Sequence, residues 1–302
     1  STIKKEGTYM ANRILLVDGM ALLFRHFYAT SIHKQFMRNS AGIPTNGVQG
    51  FVRHVFTALK DIEPTHVAVC WDMGQQTFRN DIFTGYKQNR PAPPEELIPQ
   101  FDFVKEISDQ FGFVNVGVTN YEADDVIGTL AQHYSETDEV FVITGDRDIL
   151  QCINQNVEIW LTKKGFNIYN RYTLDRFTDE YGLQPKQLID VKAFMGDTAD
   201  GYPGVKGIGE KTAIKLIQQH GSVENVINAI DQLTVGQRNK IENDMDNLKI
   251  SKSLAAIHTE VPLNLQQLLT NMQFGTTLTN ALNICHQHEL HVSQKYLATH
   301  FK

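Results

Sequence analysis

Residues 13–18, Arg-Ile-Leu-Leu-Val-Asp, form a short apolar run that ends on an acid. Two later stretches share this design, namely residues 66–72 (His-Val-Ala-Val-Cys-Trp-Asp) and residues 139–146 (Glu-Val-Phe-Val-Ile-Thr-Gly-Asp). Such short, almost continuous apolar runs are typical of buried strands in a parallel sheet. Apolar residues at helical spacing separate them, over 97–111 and 126–134. Alternating strands and helices predict an open α/β fold with a mostly parallel sheet.

Acids gather at the predicted carboxyl ends of these strands, where open α/β sheets form their sites. Others stand at a predicted helix start, after the third strand and beside a glycine-rich turn. The full set is Asp18, Asp72, Glu122, Asp124, Asp125, Asp146, Asp148, Asp197 and Asp200. Singly, each could be a turn former or a helix cap. Converging on one sheet edge, they would crowd like charges, and that is costly unless cations neutralise them.

Oxygen ligands select hard ions, so the acids predict Mg²⁺, for which Mn²⁺ can substitute. Two such ions roughly 4 Å apart would generate a hydroxide nucleophile and stabilise the attacking and leaving oxygens of a phosphodiester. The 11 histidines have no ligand-like spacing, and no Ser or Cys lies in a recognisable nucleophile motif. The predicted chemistry is therefore metal-assisted phosphodiester hydrolysis.

After about residue 180 the strand pattern gives way to a helical second region, and a glycine-rich stretch at residues 196–209 links helical segments within it. The spacing of Gly204 and Gly209 fits a nucleotide-binding P-loop, but Glu210 stands where the lysine belongs and no strand precedes it. The pattern instead suits a helix-hairpin-helix turn, in which a helix N-terminus faces a DNA phosphate. Nearby lysines favour this hypothesis over a plain interhelical loop. They are Lys206, Lys211 and Lys215.

A second basic segment covers residues 78–90 and ends in the prolines of 91–94. Lys87 and Arg90, three residues apart, could project together towards a phosphate, and Tyr86 could stack on a base. On composition alone, a solvated loop stiffened by prolines explains the segment equally well.

Composition excludes several classes of protein. Of 302 residues, 41% are hydrophobic and 21% charged, and no apolar run is long enough to span a membrane. The three cysteines have no paired spacing, which argues against a disulfide framework or a zinc site and fits a reducing cytoplasm. The net charge is −6, and removing the nine acids' negative charges leaves +3, so the acidity is local and compatible with DNA binding.

Short motifs follow one another between residues 17 and 209. They are Val17-Asp18-Gly19, Leu23-Phe24-Arg25, Pro44-Thr45-Asn46-Gly47, Trp71-Asp72, Phe78-Arg79, Tyr86-Lys87-Gln88-Asn89-Arg90, Tyr121-Glu122-Ala123-Asp124-Asp125, Thr144-Gly145-Asp146-Arg147-Asp148, and Met195-Gly196-Asp197 running on to Gly209. In this order they resemble the 5′–3′ exonuclease domain of bacterial DNA polymerase I and the stand-alone flap endonucleases. The resemblance covers roughly residues 13–262, and the absence of polymerase motifs predicts a stand-alone nuclease.

The resemblance implies a doubly wound, PIN-like nuclease core over residues 12–180, with a helical arch over about 78–105. It also implies a C-terminal helical region over 181–302 that contains a helix-hairpin-helix (helix-three-turn-helix) element near 185–222. Residues 1–11 are predicted to be a tail.

Roles for single residues follow from the same resemblance. One metal cluster would consist of Asp18, Asp72, Glu122, Asp124, Asp146 and Asp148, with Asp125, Asp197 and Asp200 at or near a second. Lys87 and Arg90 resemble arch residues that meet the scissile phosphate. Arg25 and Arg79 resemble nearby phosphate contacts. The backbone carbonyls of Gly204, Val205 and Ile208 would hold a K⁺ ion that touches the DNA backbone.

The expected function is that of a structure-specific 5′ nuclease, both exonuclease and flap endonuclease, in replication and repair steps such as removal of RNA primers or flaps. Expected substrates are duplexes with a 5′ flap or free 5′ end, including RNA-primed DNA. The expected setting is the bacterial cytoplasm at the nucleoid, as a monomer without membrane contact. One departure is Gly201-Tyr202, where the family commonly has Asn, which affects the local turn.

Three other classes of protein share some of these sequence features. A phosphatase of the haloacid dehalogenase class needs a second Asp two residues after Asp18, where this chain has Met20. A non-catalytic DNA-binding module would not need nine clustered acids, which repel phosphate when metal is absent. A single-strand-specific ribonuclease with a similar acidic sheet edge is the closest rival, and the helix-hairpin-helix element argues against it.

Overall fold

The computed structural model describes residues 12–301, so the predicted tail at 1–11 lies outside the described residues. Its strands form a single sheet in the order β3-β2-β1-β4-β5-β6. They are β1 (Arg13–Asp18), β2 (His66–Cys70), β3 (Val114–Val116), β4 (Glu139–Thr144), β5 (Val157–Lys164) and β6 (Ile168–Tyr172). Neighbouring strands are parallel except β6, which pairs antiparallel with β5. The prediction of a mostly parallel sheet is confirmed.

Helices cover both faces of this sheet and continue beyond it. The α-helices are α1 (Gly19–Ala29), α2 (Asn46–Ile62), α3 (Phe78–Ile82), α4 (Ile98–Gln110), α5 (Ala123–Tyr134), α6 (Leu174–Tyr181), α7 (Leu188–Met195), α8 (Glu210–His220), α9 (Val223–Asn228), α10 (Val235–Asn243), α11 (Met245–Ala255), α12 (Leu265–Asn271), α13 (Leu278–Gln287) and α14 (His291–His300). Short 3₁₀ helices lie at Arg147–Cys152, Pro185–Gln187 and Ile230–Gln232. Within residues 12–301, no helix is both long and apolar enough to cross a membrane.

Alternation along β1 divides the core into two layers, because successive side chains of a strand point to opposite faces. Ile14 and Leu16 pack into a buried cluster that includes residues of α5, α7 and α8. Leu15 and Val17 pack into a second cluster with α1, α2, α4 and the C-terminal helices α13 and α14. Since the first layer joins helices from both sides of residue 180, the boundary predicted there stays a prediction.

Strand register brings the predicted acids to one edge of the sheet. Asp18 pairs with Cys70 of β2, and Val17 pairs with Ile143 of β4. The chain then leaves β2 towards Asp72 and leaves β4 towards Asp146. The three strand-end acids therefore lie at neighbouring positions, as the sequence predicts.

The span 78–105 is only partly helical. It contains α3 and the first part of α4, but residues 83–97 between them form turns and extended chain. Three prolines at 91–94 explain this difference from the predicted helical arch, because proline lacks the N–H that a helix interior requires. Lys87, in the preceding turn, adopts a left-handed backbone conformation with φ of 55°.

Candidate active site

An open cavity of about 460 Å³ lies at the carboxyl ends of β1, β2 and β4. Every predicted acid except Asp125 lines it, together with the basic residues Lys87 and Arg90. Phe24 of α1 forms part of its apolar wall. The structure thus brings together most of the acids that the sequence singled out. It also places the positively charged side chains of Lys87 and Arg90 beside them.

Local backbone geometry fixes the strand-end acids. The Asp18 carboxylate caps α1 by accepting a hydrogen bond from the Ala21 N–H at 3.2 Å, and Thr144 donates its hydroxyl to the same carboxylate at 2.8 Å. Asp72 accepts the Ala123 N–H at 2.6 Å, at the N-terminus of α5. Capping and lining the cavity are therefore compatible roles for Asp18, and its side chain is held in place before any ligand arrives.

Burial and mutual repulsion disfavour the charged form of these acids. Burial, with the neighbouring charges of Asp72 and Asp146, raises the pKa of Asp18 to about 7. Burial and the charges of Asp146 and Asp18 also raise the pKa of Asp124 well above its usual value. Burial raises the pKa of Asp72 as well. A divalent cation would stabilise the charged forms of these carboxylates. A site with several acids of raised pKa therefore fits such an ion.

A second group of acids, Asp148, Asp197 and Asp200, closes the other side of the cavity. One carboxylate oxygen from each lies within 4.8 Å of the others, a spacing that could hold a metal ion. Burial and the charge of Asp146 raise the pKa of Asp148 to about 7. Because all donors are carboxylate oxygens, this group also fits a hard divalent ion.

The sequence did not identify Lys192 of α7 as part of the site. Its ammonium group lies 2.5 Å from Asp197 Oδ2 and 3.4 Å from Asp148 Oδ1. Burial alone would raise the pKa of Asp197, but the hydrogen bond and charge of Lys192 outweigh it and lower that pKa. No local sequence motif marks Lys192 as a neighbour of these acids. Only the packing of α7 brings its ammonium group to them.

The elevated acid pKa values predict a pH effect on the metal-free protein. An unfolded Asp titrates near pH 4, whereas Asp18 in the fold titrates at about 7. Between these values the folded state binds more protons than the unfolded state, so stability falls as pH rises through this window. In EDTA, Asp18→Asn should therefore unfold several degrees higher than the wild-type protein at pH 7.5 but not at pH 4.5.

Thermal unfolding of both proteins at the two pH values checks this effect. An Asp18→Asn protein whose melting temperature is lower than wild type at pH 7.5 would contradict the proposed crowding of charge. Asp138, a buried acid before β4 that accepts a hydrogen bond from Asn12, provides a control. Asp138→Asn should not stabilise the fold at either pH.

Arg79 does not lie where the sequence placed it. The prediction gave it a phosphate contact, but its side chain is buried, with the residue 2% exposed. Each of its five N–H donors has an acceptor. The acceptors are the carboxylates of Glu122 and Asp125 and the main-chain carbonyls of Leu254 and Ala256. Arg79 therefore joins α3 to the start of α5 and to the end of α11, and as placed it cannot contact DNA.

Asp125 likewise does not lie where its predicted role would place it. Predicted as a metal ligand, it is 0% exposed and does not line the cavity. Its two oxygens accept hydrogen bonds from Arg79 at 2.8 Å, from the His258 N–H at 2.8 Å and from the Glu122 N–H at 3.0 Å. A buried guanidinium requires a charged partner, and Asp125 fills that role.

Tyr86 also differs from its predicted role. It is buried, its hydroxyl donates to Glu122 at 3.0 Å, and its ring stacks on Tyr202 with centroids 6.5 Å apart. It therefore has no free face for a base.

Glu122 lines the cavity but is already paired with Arg79 and Lys87, whose charges outweigh burial and lower its pKa.

These contacts predict that Asp125→Asn weakens the fold without emptying a metal site. Removing the Asp125 charge leaves the buried guanidinium of Arg79 with Glu122 as its remaining charged partner there, so the free energy of unfolding should fall by about 3 kcal/mol. Denaturant unfolding measures this loss, and titration with Mn²⁺ should give the same number of bound ions as wild type. An Asp125→Asn protein of normal stability that had lost an ion would restore Asp125 as a ligand.

Lys87 and Arg90 line the cavity, and their contact with the scissile phosphate stays a prediction. The Lys87 ammonium pairs with Glu122, and the Lys87 N–H donates to the Asp200 carbonyl at 2.7 Å. Arg90 donates to Asp200 Oδ1 at 2.6 Å, and its side chain remains 54% exposed. Both side chains can therefore reach a phosphate that enters the cavity.

The glycine-rich turn connects α7 to α8. Gly204 has φ of +59°, and a side chain there would come within 2.3 Å of the Gly196 nitrogen, so only glycine fits. Val205 and Ile208 are buried, whereas the three predicted lysines, Lys206, Lys211 and Lys215, are exposed. Arg25 donates to the Gly165 carbonyl at 3.1 Å. The potassium site and the DNA contacts of these residues stay predictions.

Comparison with known families assigns nearly the whole chain. Residues 13–182 match the family described as 5′-3′ exonuclease, N-terminal resolvase-like domain. Residues 183–276 match the family described as 5′-3′ exonuclease, C-terminal SAM fold.

Two relatives illustrate the similarity in sequence. A 5′-3′ exonuclease of Bacillus subtilis (strain 168) is 48% identical over 279 residues, which are 92% of this chain and 94% of the relative. DNA polymerase I of Streptococcus pneumoniae (strain ATCC BAA-255 / R6) is 37% identical over 254 residues, which are 83% of this chain but only 29% of the polymerase.

Solved structures share the fold at low sequence identity. The T5 D15 protein co-crystallised with metal ions superposes with a TM-score of 0.68 at 20% identity, over 95% of this chain and 97% of the other. The catalytic core of Rad2 in complex with DNA substrate gives a TM-score of 0.61 at 16% identity, over 96% and 92% of the two chains.

Proposed function

The chain belongs to the 5′-3′ exonuclease family, and on that premise we propose that it is a structure-specific nuclease that cuts DNA at 5′ flaps and free 5′ ends. The observation that carries this proposal is the cavity at the sheet edge, where eight acids face Lys87 and Arg90. Carboxylates alone would repel a phosphodiester, so such a cavity suits a phosphate only when cations occupy it.

The acids divide into two ion-binding groups. Asp18, Asp72, Asp124 and Asp146 are proposed to hold one divalent cation. Asp148, expected from the sequence in that first cluster, is proposed to hold the other with Asp197 and Asp200, a grouping that their close spacing supports. The proposed ions are Mg²⁺, with Mn²⁺ as a substitute, and when bound they supply a nucleophile at neutral pH and Lewis-acid stabilisation of the phosphate. The metal ions named for the T5 D15 crystals support this assignment.

The chain's own residues orient the phosphodiester and stabilise its charge. Lys87 and Arg90 bring positive charge to the phosphate as negative charge accumulates on its oxygens. Water adds to phosphorus and the bond to the 3′ oxygen breaks, so the product carries a 5′-phosphate. The main-chain anchor of Lys87 to Asp200 keeps its ammonium at the rim before DNA arrives.

Duplex DNA beside the cut is the proposed partner of the glycine-rich turn. Lys206, Lys211 and Lys215 face solvent near the N-terminus of α8, where phosphate is favoured. The carbonyls of Gly204, Val205 and Ile208 are proposed to hold K⁺ against the DNA backbone. The catalytic core of Rad2, which shares this fold, was solved in complex with a DNA substrate, and this supports DNA as the partner.

The proposed setting is replication and repair in the bacterial cytoplasm, at the nucleoid, as a monomer that removes flaps or RNA-primed 5′ ends. Its test compares four labelled substrates in Mg²⁺: a 5′ DNA flap, the same flap in RNA, a single strand of RNA and a blunt DNA duplex. Cuts near the flap junction support the proposal. Preferential cutting of single-stranded RNA would instead favour a ribonuclease, and tight binding without cutting would favour a non-catalytic binder.

A further inference from the structure

Lys192 lies among the three acids of the second group, Asp148, Asp197 and Asp200, called the acid trio below. Its ammonium group contacts Asp197 at 2.5 Å and Asp148 at 3.4 Å. The Lys192 side chain is only 15% exposed, and the two acid side chains are 16% and 20% exposed. A positive charge of the protein itself therefore already pairs with two of the trio's three carboxylates.

The other four aspartates that line the cavity have no such contact within the described residues. Within residues 12–301, no lysine or arginine nitrogen lies within 4.0 Å of the carboxylates of Asp18, Asp72, Asp124 or Asp146. Two acid groups that line the same cavity thus differ: carboxylates of the acid trio contact Lys192 and, at Asp200, Arg90, whereas the other four aspartates contact no lysine or arginine within the same residues. Divalent ions should therefore bind the two groups with different affinities.

We propose that Lys192 is a counter-ion of the acid trio that a divalent cation must displace. This inference rests on the proposed function, because it assumes that the trio holds an ion. The trio's oxygens lie within 4.8 Å of one another, too close to surround both an ammonium and a divalent ion without strong repulsion. The flexible four-carbon stem of lysine allows the ammonium to leave while α7 stays in place.

The exchange gives the cavity an order of filling. An ion binds the group of Asp18, Asp72, Asp124 and Asp146 first, because within residues 12–301 no ammonium or guanidinium group contacts its carboxylates. The trio fills at higher ion concentration, since that ion must replace the contacts of Lys192. In the absence of ions, Lys192 offsets the repulsion between Asp148 and Asp197 and so stabilises the metal-free fold.

A purely structural ion pair predicts a different result. If Lys192 only tied α7 to the trio, its loss would loosen the three acids, and ion binding there would weaken or stay the same. If Lys192 competes with the ion, its loss should strengthen ion binding. The sign of the change in affinity therefore separates the two roles.

The experiment titrates metal-free, full-length protein with Mn²⁺ by calorimetry and compares wild type with Lys192→Met. We expect the weaker class of Mn²⁺ sites to tighten by about tenfold, the size expected for loss of one partly buried ion pair. The tighter class should not change. In EDTA the variant should melt at a lower temperature than wild type, and Mn²⁺ should raise its melting temperature by more.

Lys252→Met is the matched control. Lys252 also pairs with two acids, Asp190 and Glu224, each at 2.8 Å, but it lies on α11 outside the cavity. Its loss should lower the melting temperature and leave both classes of Mn²⁺ sites unchanged. Lys192→Gln, which keeps a polar side chain without the charge, should reproduce the tightening if the methionine variant fails to fold.

Unchanged or weaker binding at the second class of sites in both Lys192 variants would overturn the exchange. That result would leave the nuclease assignment intact, provided that the wild-type protein still cuts a 5′ flap. Wild-type protein that binds two Mn²⁺ ions but cuts no DNA would overturn the proposed function alone. Wild-type protein that binds no Mn²⁺ would overturn both.

Discussion

Replacement of Asp18 by asparagine is expected to lower the rate of flap cleavage at least about 1000-fold while leaving DNA binding largely intact. Asp18 lies at the centre of the sheet edge, and its carboxylate is fixed by Ala21 and Thr144 before any ligand binds. Losing it removes a charged ligand from the ion site, and each 1.36 kcal/mol of lost transition-state stabilisation is worth about a factor of ten. DNA binding should persist because one repulsive charge is gone.

Single-turnover cleavage and equilibrium binding to the same flap measure the two quantities separately. Asp138→Asn, which removes a buried acid remote from the cavity, should cleave at the wild-type rate. Retained cleavage by the Asp18 variant would refute its assignment as an ion ligand. Lost binding together with lost cleavage would point instead to a misfolded protein.

Lys87→Ala is expected to lower turnover at least about 100-fold with a much smaller change in affinity, the effect typical of losing one preorganised donor to a developing negative charge. Its ammonium lies in the cavity beside Glu122, and its backbone is held by Asp200. Removing the side chain leaves the acids in place but takes away positive charge at the phosphate. The effect should therefore fall on kcat rather than on KM.

Lys211→Ala provides the contrast, since Lys211 is exposed at the start of α8 and does not line the cavity. There we expect weaker binding, more pronounced at high salt, and unchanged turnover at saturating DNA. Equal turnover of wild type and the Lys87 variant would remove Lys87 from the mechanism.

The sheet edge could be predicted from sequence because its determinants are local. Each central strand is a short apolar run followed at once by an acid, and parallel strands place their carboxyl ends together. The pairing of Asp18 with Cys70 and of Val17 with Ile143 confirms that register. Position in the strand was sufficient to place Asp18, Asp72 and Asp146 at one cavity.

The roles of Arg79 and Asp125 could not be predicted, because they depend on which distant groups meet. Glu122 and Asp125 do share a helix face, as their spacing predicts. In the fold, both carboxylates on that face pair with the buried guanidinium of Arg79. Within the run Glu122-Ala-Asp124-Asp125, only the packing of α3 against α5 and α11 decides which acids reach the cavity.

The packing of the C-terminal helices also could not be predicted from sequence patterns. Short helices such as α14 bury few residues, so their periodicity is weak. In the fold, α14 packs into the second layer, where Ser293 donates its N–H to Gln49 of α2 at 2.9 Å and Tyr296 contacts Thr57 at 3.0 Å. These contacts join residues more than 200 positions apart, and no local signal encodes them.

The central claim is that the acidic cavity cuts DNA with the help of divalent ions. The most direct test is cleavage of a 5′-labelled flap duplex by the wild-type protein in Mg²⁺ and in EDTA, with Asp18→Asn alongside. We expect cuts near the junction in Mg²⁺, none in EDTA and almost none with the variant. DNA that is bound but left uncut in both Mg²⁺ and Mn²⁺, or cut equally well in EDTA, would contradict the claim.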